Sequence, residues 1–105
     1  MMAKYVLVFH GGGIPETEEE QATVMAAWGA WMEGLGSGLA DPGNATGQSK
    51  TIHADGSVTV GGGANPVTGY TLLEAGSLDD AVSLAKGCPI LESGGSIEVL
   101  ETIEM

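Results

Sequence analysis

The first strand candidate of this chain is apolar on both of its sides. Residues 4–9 read KYVLVF, a β-branched and aromatic run that stops at the glycines after His10. Successive side chains of a strand point to opposite faces, so Tyr5, Leu7 and Phe9 share one face and Val6 and Val8 share the other. About 25 cal/mol is forgone for each Å² of apolar surface left in water. This strand therefore needs a cover on each of its two faces.

The first helix is predicted to begin at a capping box. Thr17 and Glu20 have the spacing in which each side chain bonds the other's backbone amide. The residues after it place their apolar side chains on one face of a helix. This apolar stripe consists of Val24, Met25, Trp28, Trp31, Met32 and Leu35. Gly29 lies within the helix at a cost of about 1 kcal/mol relative to alanine, which suggests that another backbone approaches it closely.

The remaining elements complete an alternating order. They are a short strand over residues 39–41, a turn over 41–44, a β-hairpin over 51–60, a loop over 61–66, a strand over 70–75, a helix over 78–86 and a strand over 97–103. Asp55-Gly56 favours a two-residue type I′ turn in the hairpin, and Ser77 can cap the second helix. The order predicts one α+β domain over residues 1–105. We expect a ferredoxin-like βαββαβ antiparallel sheet with two helices on one face and a β-hairpin insertion.

Two helices cover only one face of such a sheet. The simplest cover for the second apolar face is another copy of the same sheet. The sequence therefore predicts a two-fold homodimer packed sheet against sheet, a dimeric α/β barrel-type assembly with a cavity between the two layers.

The charge of the chain restricts its partners. Fourteen acidic residues face only three basic ones, all lysines, for a net charge of −11. An acidic chain without arginine is a poor partner for nucleic acid, for an anionic membrane surface or for a polyphosphate cofactor. We expect no nucleic-acid partner, no membrane partner and no cofactor. The single cysteine, Cys88, indicates a reducing compartment, and no basic leader or spanning segment is present in the sequence, so we expect a cytoplasmic protein.

Several stretches of the chain match a known family pattern. They are residues 4–8, 69–70, 73–75, 78–82, 84–85, 88–89, 94–95, 97–99 and 104–105. In these stretches the chain resembles the YCII-related (DGPF) family of small dimeric α+β proteins. The resemblance implies a ferredoxin-like fold and a homodimer. The family signature Asp-Gly-Pro-Phe is replaced by residues 61–66, and helix one has no histidine to pair with Asp41, which alone matches the acidic position of the catalytic pair used by some relatives.

His10 is the leading catalytic candidate. It lies where a strand leaves the sheet, and a neutral imidazole exchanges protons near pH 7. By alternation it shares the cavity face with Val6 and Val8. The alternative is a hydrogen-bonded histidine at a strand end. Asp41 would orient His10 if the second strand lies beside the first, and otherwise it is a turn-forming residue before Pro42.

Three further residues are candidates for ligand binding. His53 lies in the predicted hairpin, where solvent exposure is the default, and Asn65 lies in the glycine-rich loop. Trp28 would line a pocket, although its helical spacing is also typical of a core residue. We expect no metal site, because neither predicted helix carries a His-x-x-x-His or Glu-x-x-His pair.

Two functions follow from these residues. In the first, the homodimer binds a small, mostly apolar molecule in the cavity at the sheet-sheet interface. In the alternative, the dimer is a cofactor-free lyase or isomerase that uses His10 as a general base with Asp41 as its partner.

Overall fold

The computed structural model describes residues 3–12 and 16–103. These residues form two α-helices, a four-stranded antiparallel sheet and a separate two-stranded hairpin. In chain order the elements are β1 (Ala3–His10), α1 (Glu18–Leu35), β2 (Leu39–Ala45), β3 (Lys50–Ile52), β4 (Val58–Val60), β5 (Val67–Ala75), α2 (Leu78–Ala85) and β6 (Ser96–Glu101). Short 3-10 turns follow each helix, at Gly36–Gly38 and Pro89–Leu91. The predicted α+β class is confirmed.

The strand order of the large sheet is β2-β5-β1-β6, and every pair is antiparallel. β1 is thus hydrogen-bonded on both edges, to β5 and to β6. This order is compatible with the ferredoxin-like arrangement, in which the hairpin of β3 and β4 is an insertion between β2 and β5.

Both helices pack on the face of the sheet that carries Tyr5, Leu7 and Phe9. The main core cluster joins Leu7 and Phe9 to α1 and α2, and its other members are Trp31, Leu35, Leu73, Ala85, Cys88 and Ile90. A smaller cluster places Tyr5 against Ala75 and Ala81. The indole Nε1 of Trp31 donates to the carbonyl of Leu84 at 3.0 Å, which ties α1 to α2.

The capping of α1 is confirmed in one direction. The Thr17 hydroxyl accepts from the amide of Glu20 at 3.0 Å, whereas the Glu20 carboxylate accepts from the amide of Glu16 instead of Thr17. The apolar stripe is packed only towards its C-terminal end, because Trp31 and Leu35 are buried while Met25 is 68% exposed. Across residues 3–12 and 16–103, neither helix combines the length and the hydropathy needed to span a membrane.

Gly29 has a different role from the predicted one. A Cβ built on Gly29 would meet no heavy atom within 4 Å. Among residues 3–12 and 16–103 no backbone lies near this Cβ position, so the prediction from its place in the helix is wrong.

β2 is longer than predicted, and the expected turn over residues 41–44 is a bulged part of the strand. The register with β5 shifts twice between Leu39 and Asn44. The Asp41 carboxylate accepts from the amide of Gly43 at 2.8 Å, and Gly43 has φ of 70°. A Cβ on Gly43 would collide with the carbonyl oxygen of Tyr70. Local turn chemistry is therefore present, but pairing with β5 keeps the chain extended around it.

The hairpin is confirmed, although its turn differs from the predicted type. The Gly56 amide donates to the carbonyl of His53, and the His53 amide donates to the carbonyl of Ser57, so three residues close the loop. Type I′ needs positive φ at both central positions, whereas only Gly56 has it, at 89°. This is the three-residue turn that ends in a left-handed glycine. Asp55 favours it because its carboxylate accepts from the amide and the hydroxyl of Ser57.

The hairpin stands away from the rest of the chain. Its register places Ile52 opposite Val58 and Lys50 opposite Val60, so the three apolar residues share one face. These side chains are 74%, 55% and 89% exposed for Ile52, Val58 and Val60. The radius of gyration is 15.1 Å, compared with about 13 Å for a compact chain of this length.

Candidate functional site

The face of the large sheet opposite to the helices is termed the open face. Its apolar and aromatic side chains are Val6, Val8, Tyr70, Leu72 and Leu100, and its polar side chains include Lys4, His10, Glu74 and Glu98. Val6 and Val8 are only half-buried, as are Tyr70 and Leu72 opposite them on β5. Leu100 is exposed. Within residues 3–12 and 16–103, no helix packs against this face, and it is the second apolar face that the sequence of β1 predicts.

His10 lies at one end of the open face, where β1 leaves the sheet. The register between β1 and β5 shifts between Phe9 and His10, whereas the pairing with β6 stays regular. The ring is buried, and both of its nitrogens have partners. Nδ1 lies 3.1 Å from the carbonyl oxygen of Asn65, and Nε2 lies 3.3 Å from Oε1 of Glu98.

Both partners of the His10 ring are hydrogen-bond acceptors. A carbonyl oxygen and an ionised carboxylate have no proton to give, so an imidazolium ring satisfies both contacts by donating twice. A neutral ring with its proton on Nδ1 donates to Asn65 and presents a lone pair at Nε2. The Glu98 side chain is 60% exposed, and it therefore has room to rotate away and leave Nε2 facing the open face. The contacts of His10 are thus compatible with an imidazolium ring, and they are also compatible with a neutral ring whose Nε2 can accept a proton.

Asp41 is not beside His10. β2 pairs with β5, and β5 separates it from β1, so about 10 Å lies between the strands that carry the two residues. Asp41 is also level with Val6, which places it roughly 13 Å along the sheet from His10. Its carboxylate bonds the Gly43 amide, which is the turn-forming alternative. The expected contact between His10 and Asp41 is not formed, and Glu98 occupies the position next to the ring.

The three predicted ligand-binding residues lie in three different places. Asn65 is next to His10, but through its backbone carbonyl. His53 is exposed in the hairpin, where its Nε2 lies 3.0 Å from the hydroxyl oxygen of Thr59. Trp28 lies on the helix side of the sheet, in edge-to-face contact with Phe9 at 5.3 Å between ring centroids. Only Asn65 contributes to the environment of His10.

Two titratable groups have pKa values that their surroundings displace. Burial raises the pKa of the Cys88 thiol to about 11, which disfavours a nucleophilic thiolate at neutral pH. Hydrogen bonds from Ser57 lower the pKa of the Asp55 carboxyl. In the part of the chain that the structure describes, no three His, Cys, Asp or Glu side chains meet in an arrangement that could hold a metal ion.

Glu98 is the site residue that sequence reasoning missed. Alternation along β6 places Glu98 and Leu100 on the face opposite to Ile97 and Val99. The ferredoxin-like strand order places the last strand beside the first. Together these two signals indicate a carboxylate near the end of β1, whereas the expectation that β2 lies beside β1 indicated Asp41, on the wrong strand.

Comparison with known proteins adds no relative. The sequence matches no protein-family model, and a search of curated proteins finds no significant similarity. The resemblance to the YCII-related family therefore stays a prediction that rests on its motifs.

Proposed function

We propose that this chain is a homodimer that encloses a small, mostly apolar molecule between two open faces; the YCII-related resemblance also implies a homodimer. The observation that carries this proposal is the row of incompletely buried apolar side chains on a helix-free sheet face, which includes Val6, Val8 and Leu72. A second copy offers an identical surface, and a two-fold axis brings the two together.

The area of the sheet sets a requirement on the dimer. Four strands about 4.8 Å apart and about six residues long cover roughly 400 Å². A standard interface buries about 800 Å² on each partner. The open face alone supplies about half of that area, so a stable dimer needs a further surface.

The hairpin supplies this further surface. Its exposed apolar face consists of Ile52, Val58 and Val60, and a two-stranded hairpin is only marginally stable in water by itself. The hairpin joins the end of β2 to the start of β5, which is the end of the sheet where His10 lies. In the proposed dimer each hairpin packs on the other protomer and closes the cavity at the end where His10 lies.

The composition of the open face selects the ligand. Its valines and leucines favour an apolar molecule, and the pair of His10 and Glu98 offers a polar contact at one end. The net charge of −11 on each protomer repels anions. The proposed ligand is therefore apolar over most of its surface, with one group that hydrogen-bonds or pairs with His10 and Glu98.

A second candidate function is a cofactor-free lyase or isomerase. It is favoured by the placement of Nε2 of His10 towards the exposed carboxylate of Glu98. In this reaction Nε2 accepts a proton from the substrate, while the carbonyl of Asn65 holds the Nδ1 proton and the orientation of the ring. ¹⁵N NMR of the imidazole at neutral pH tests this candidate. A ring protonated on both nitrogens has no lone pair to act as a base, and this result would rule out the proposed lyase or isomerase reaction.

Sedimentation equilibrium of two charge variants tests the dimer. Val8→Glu introduces carboxylates at the centre of the proposed interface, whereas Ser83→Glu makes the same change in charge on the exposed side of α2. We expect wild type and Ser83→Glu to sediment at twice the chain mass of 10.6 kDa, and Val8→Glu to sediment as a folded monomer. A wild-type monomer at micromolar concentration, or a Val8→Glu dimer, would refute the sheet-to-sheet interface.

Binding of the neutral dye Nile red tests the ligand cavity. We expect its emission to rise and shift to the blue with the wild-type dimer. His10→Gln should change the dye's affinity without changing the mass, since that side chain lies at one end of the cavity. Equal dye binding by wild type and by a Val8→Glu monomer would show that the dye does not use a cavity between the sheets.

A further inference from the structure

An apolar cavity lies on the helix side of the sheet, between α1 and the edge formed by β2 and β5. We term it the α1 cleft, and its walls include Phe9, Met25, Trp28, Gly29, Met32 and Ile90. Its volume is about 480 Å³, within the range of sites that hold small organic ligands. The cleft lies on the opposite side of the sheet from the proposed dimer cavity.

Gly29 keeps the cleft open. A glycine inside a helix lowers helix stability, and it is normally explained by a backbone that leaves no room for a side chain. Here a Cβ would meet nothing within 4 Å, and the residue lines the cleft. Because residue 29 has no side chain, the cavity extends up to the helix backbone at this point. A larger residue at position 29 would fill that part of the cavity.

The polar side chains of the cleft bond other groups of the same chain, and among them the Asn44 amide donates to the Tyr70 hydroxyl at 3.5 Å. The Thr71 hydroxyl donates to the carbonyl of Pro42 at 3.0 Å, and the Thr68 hydroxyl lies within 3.3 Å of the carbonyls of Phe9 and Gly11. Of the residues that line the cleft within the described chain, none carries a charge. A polar or ionic ligand would lose its hydration there without gaining partners.

The apolar side chains of the wall are suited to a flat, hydrophobic molecule. Trp28 presents its ring system between Phe9 and Trp31, with edge-to-face contacts on both sides. Met25 is 68% exposed at the rim, although it belongs to the apolar stripe of α1. A bound ligand would cover it, and the flexible thioether side chains of Met25 and Met32 can adapt to different shapes.

We propose that the α1 cleft is a binding site, within each protomer, for a neutral and predominantly apolar small molecule of aromatic or alicyclic type. The site is complete in one chain and does not require the dimer. Gly29 provides its depth, and Trp28 with the two methionines provides its contact surface.

Titration with the neutral fluorophore N-phenyl-1-naphthylamine tests this proposal. Gly29→Leu should fill the cleft and weaken binding at least tenfold. Gly34→Leu is the matched control, because it makes the same change in the same helix, at a glycine whose Cβ also meets nothing within 4 Å and which does not line the cleft. We expect Gly34→Leu to bind like wild type, with circular dichroism showing that both variants fold.

The same titration on the Val8→Glu background separates this site from the dimer cavity. We expect the fluorophore to bind this monomeric variant with an affinity that Gly29→Leu lowers at least tenfold and Gly34→Leu leaves unchanged. In the Val8→Glu background, unchanged affinity in Gly29→Leu, equal losses in the two leucine variants, or no binding at all would overturn the proposal. The double variant Ile52→Lys/Val60→Lys gives a further outcome that would overturn the proposal. If the fluorophore bound this variant but not wild type, the hairpin of a partner protomer would occupy the cleft in wild type.

Discussion

Replacing Gly29 with alanine should stabilise the protein. The residue is helical, a Cβ there would meet nothing within 4 Å, and no hydrogen bond of the helix is altered. Alanine is favoured over glycine in a helix interior by about 0.5–1 kcal/mol, because glycine loses more backbone freedom on folding. In a chain of this size such a gain corresponds to a rise in melting temperature of roughly 2–8 °C.

Urea denaturation measures this effect against an opposite control. Gly36 ends α1 with φ of 53°, a conformation that costs an L-residue about 1 kcal/mol or more. We expect Gly29→Ala to raise the urea midpoint and Gly36→Ala to lower it, with equal slopes. A Gly29→Ala variant that is less stable than wild type would refute the assignment of Gly29 to open space. It would mean that a backbone does approach the helix there.

Three further variants or conditions test the packing around the sheet. Gly43→Ala should cost more than about 2 kcal/mol in urea denaturation, because its Cβ collides with the Tyr70 carbonyl and its φ is 70°; a loss below 0.5 kcal/mol, by the same rough scale, would contradict the bulge. Trp31→Phe should cost about 1–2 kcal/mol by leaving the Leu84 carbonyl without its indole donor, and an unchanged melting curve would contradict that contact. Because burial raises the pKa of Cys88 from 9.0 to about 11, the folded state retains a proton that the unfolded state loses, so stability should fall as pH rises from 9 to 11. A melting temperature that is higher at pH 11 than at pH 9 in wild type, but not in Cys88→Ala, would contradict this prediction.

Local sequence chemistry predicted the helices and strands and the capped starts of both helices. Thr17 and Ser77 cap the two helices because each hydroxyl reaches an amide three residues ahead, and this contact depends on nothing distant. The alternation of β1 likewise predicted which face of that strand packs against the helices. These features are properties of short segments, so a sequence reading recovers them.

Features that depend on distant partners were not recovered. The bulge in β2 exists because β5 holds residues 39–45 in register, with the Thr71 hydroxyl bonded to the Pro42 carbonyl. The partner of His10 lies 88 residues away, in β6. Asp41 was favoured as a site residue on the expectation that the second strand lies beside the first, and only the strand order shows that Glu98 is nearer. The role of Gly29 similarly depends on the empty space of the α1 cleft beside it, which no local sequence pattern indicates.

The open face and the α1 cleft are two separate proposed sites on the same chain. The first concerns a surface completed by a second copy, and the second concerns a cavity complete in one protomer. Val8→Glu alters the former and Gly29→Leu the latter. The two variants therefore allow either claim to fail while the other stands.

The most direct test of the central claim is the distance between two nitroxide labels on the open faces of a dimer. In a Cys88→Ala background, labels at Val6→Cys should broaden each other's electron paramagnetic resonance spectrum, because packed sheets lie about 10 Å apart. Labels at Ser83→Cys, on the outer side of α2, should not. Sharp spectra from Val6→Cys at concentrations where the protein is dimeric would show that the two copies meet elsewhere, and they would contradict the account.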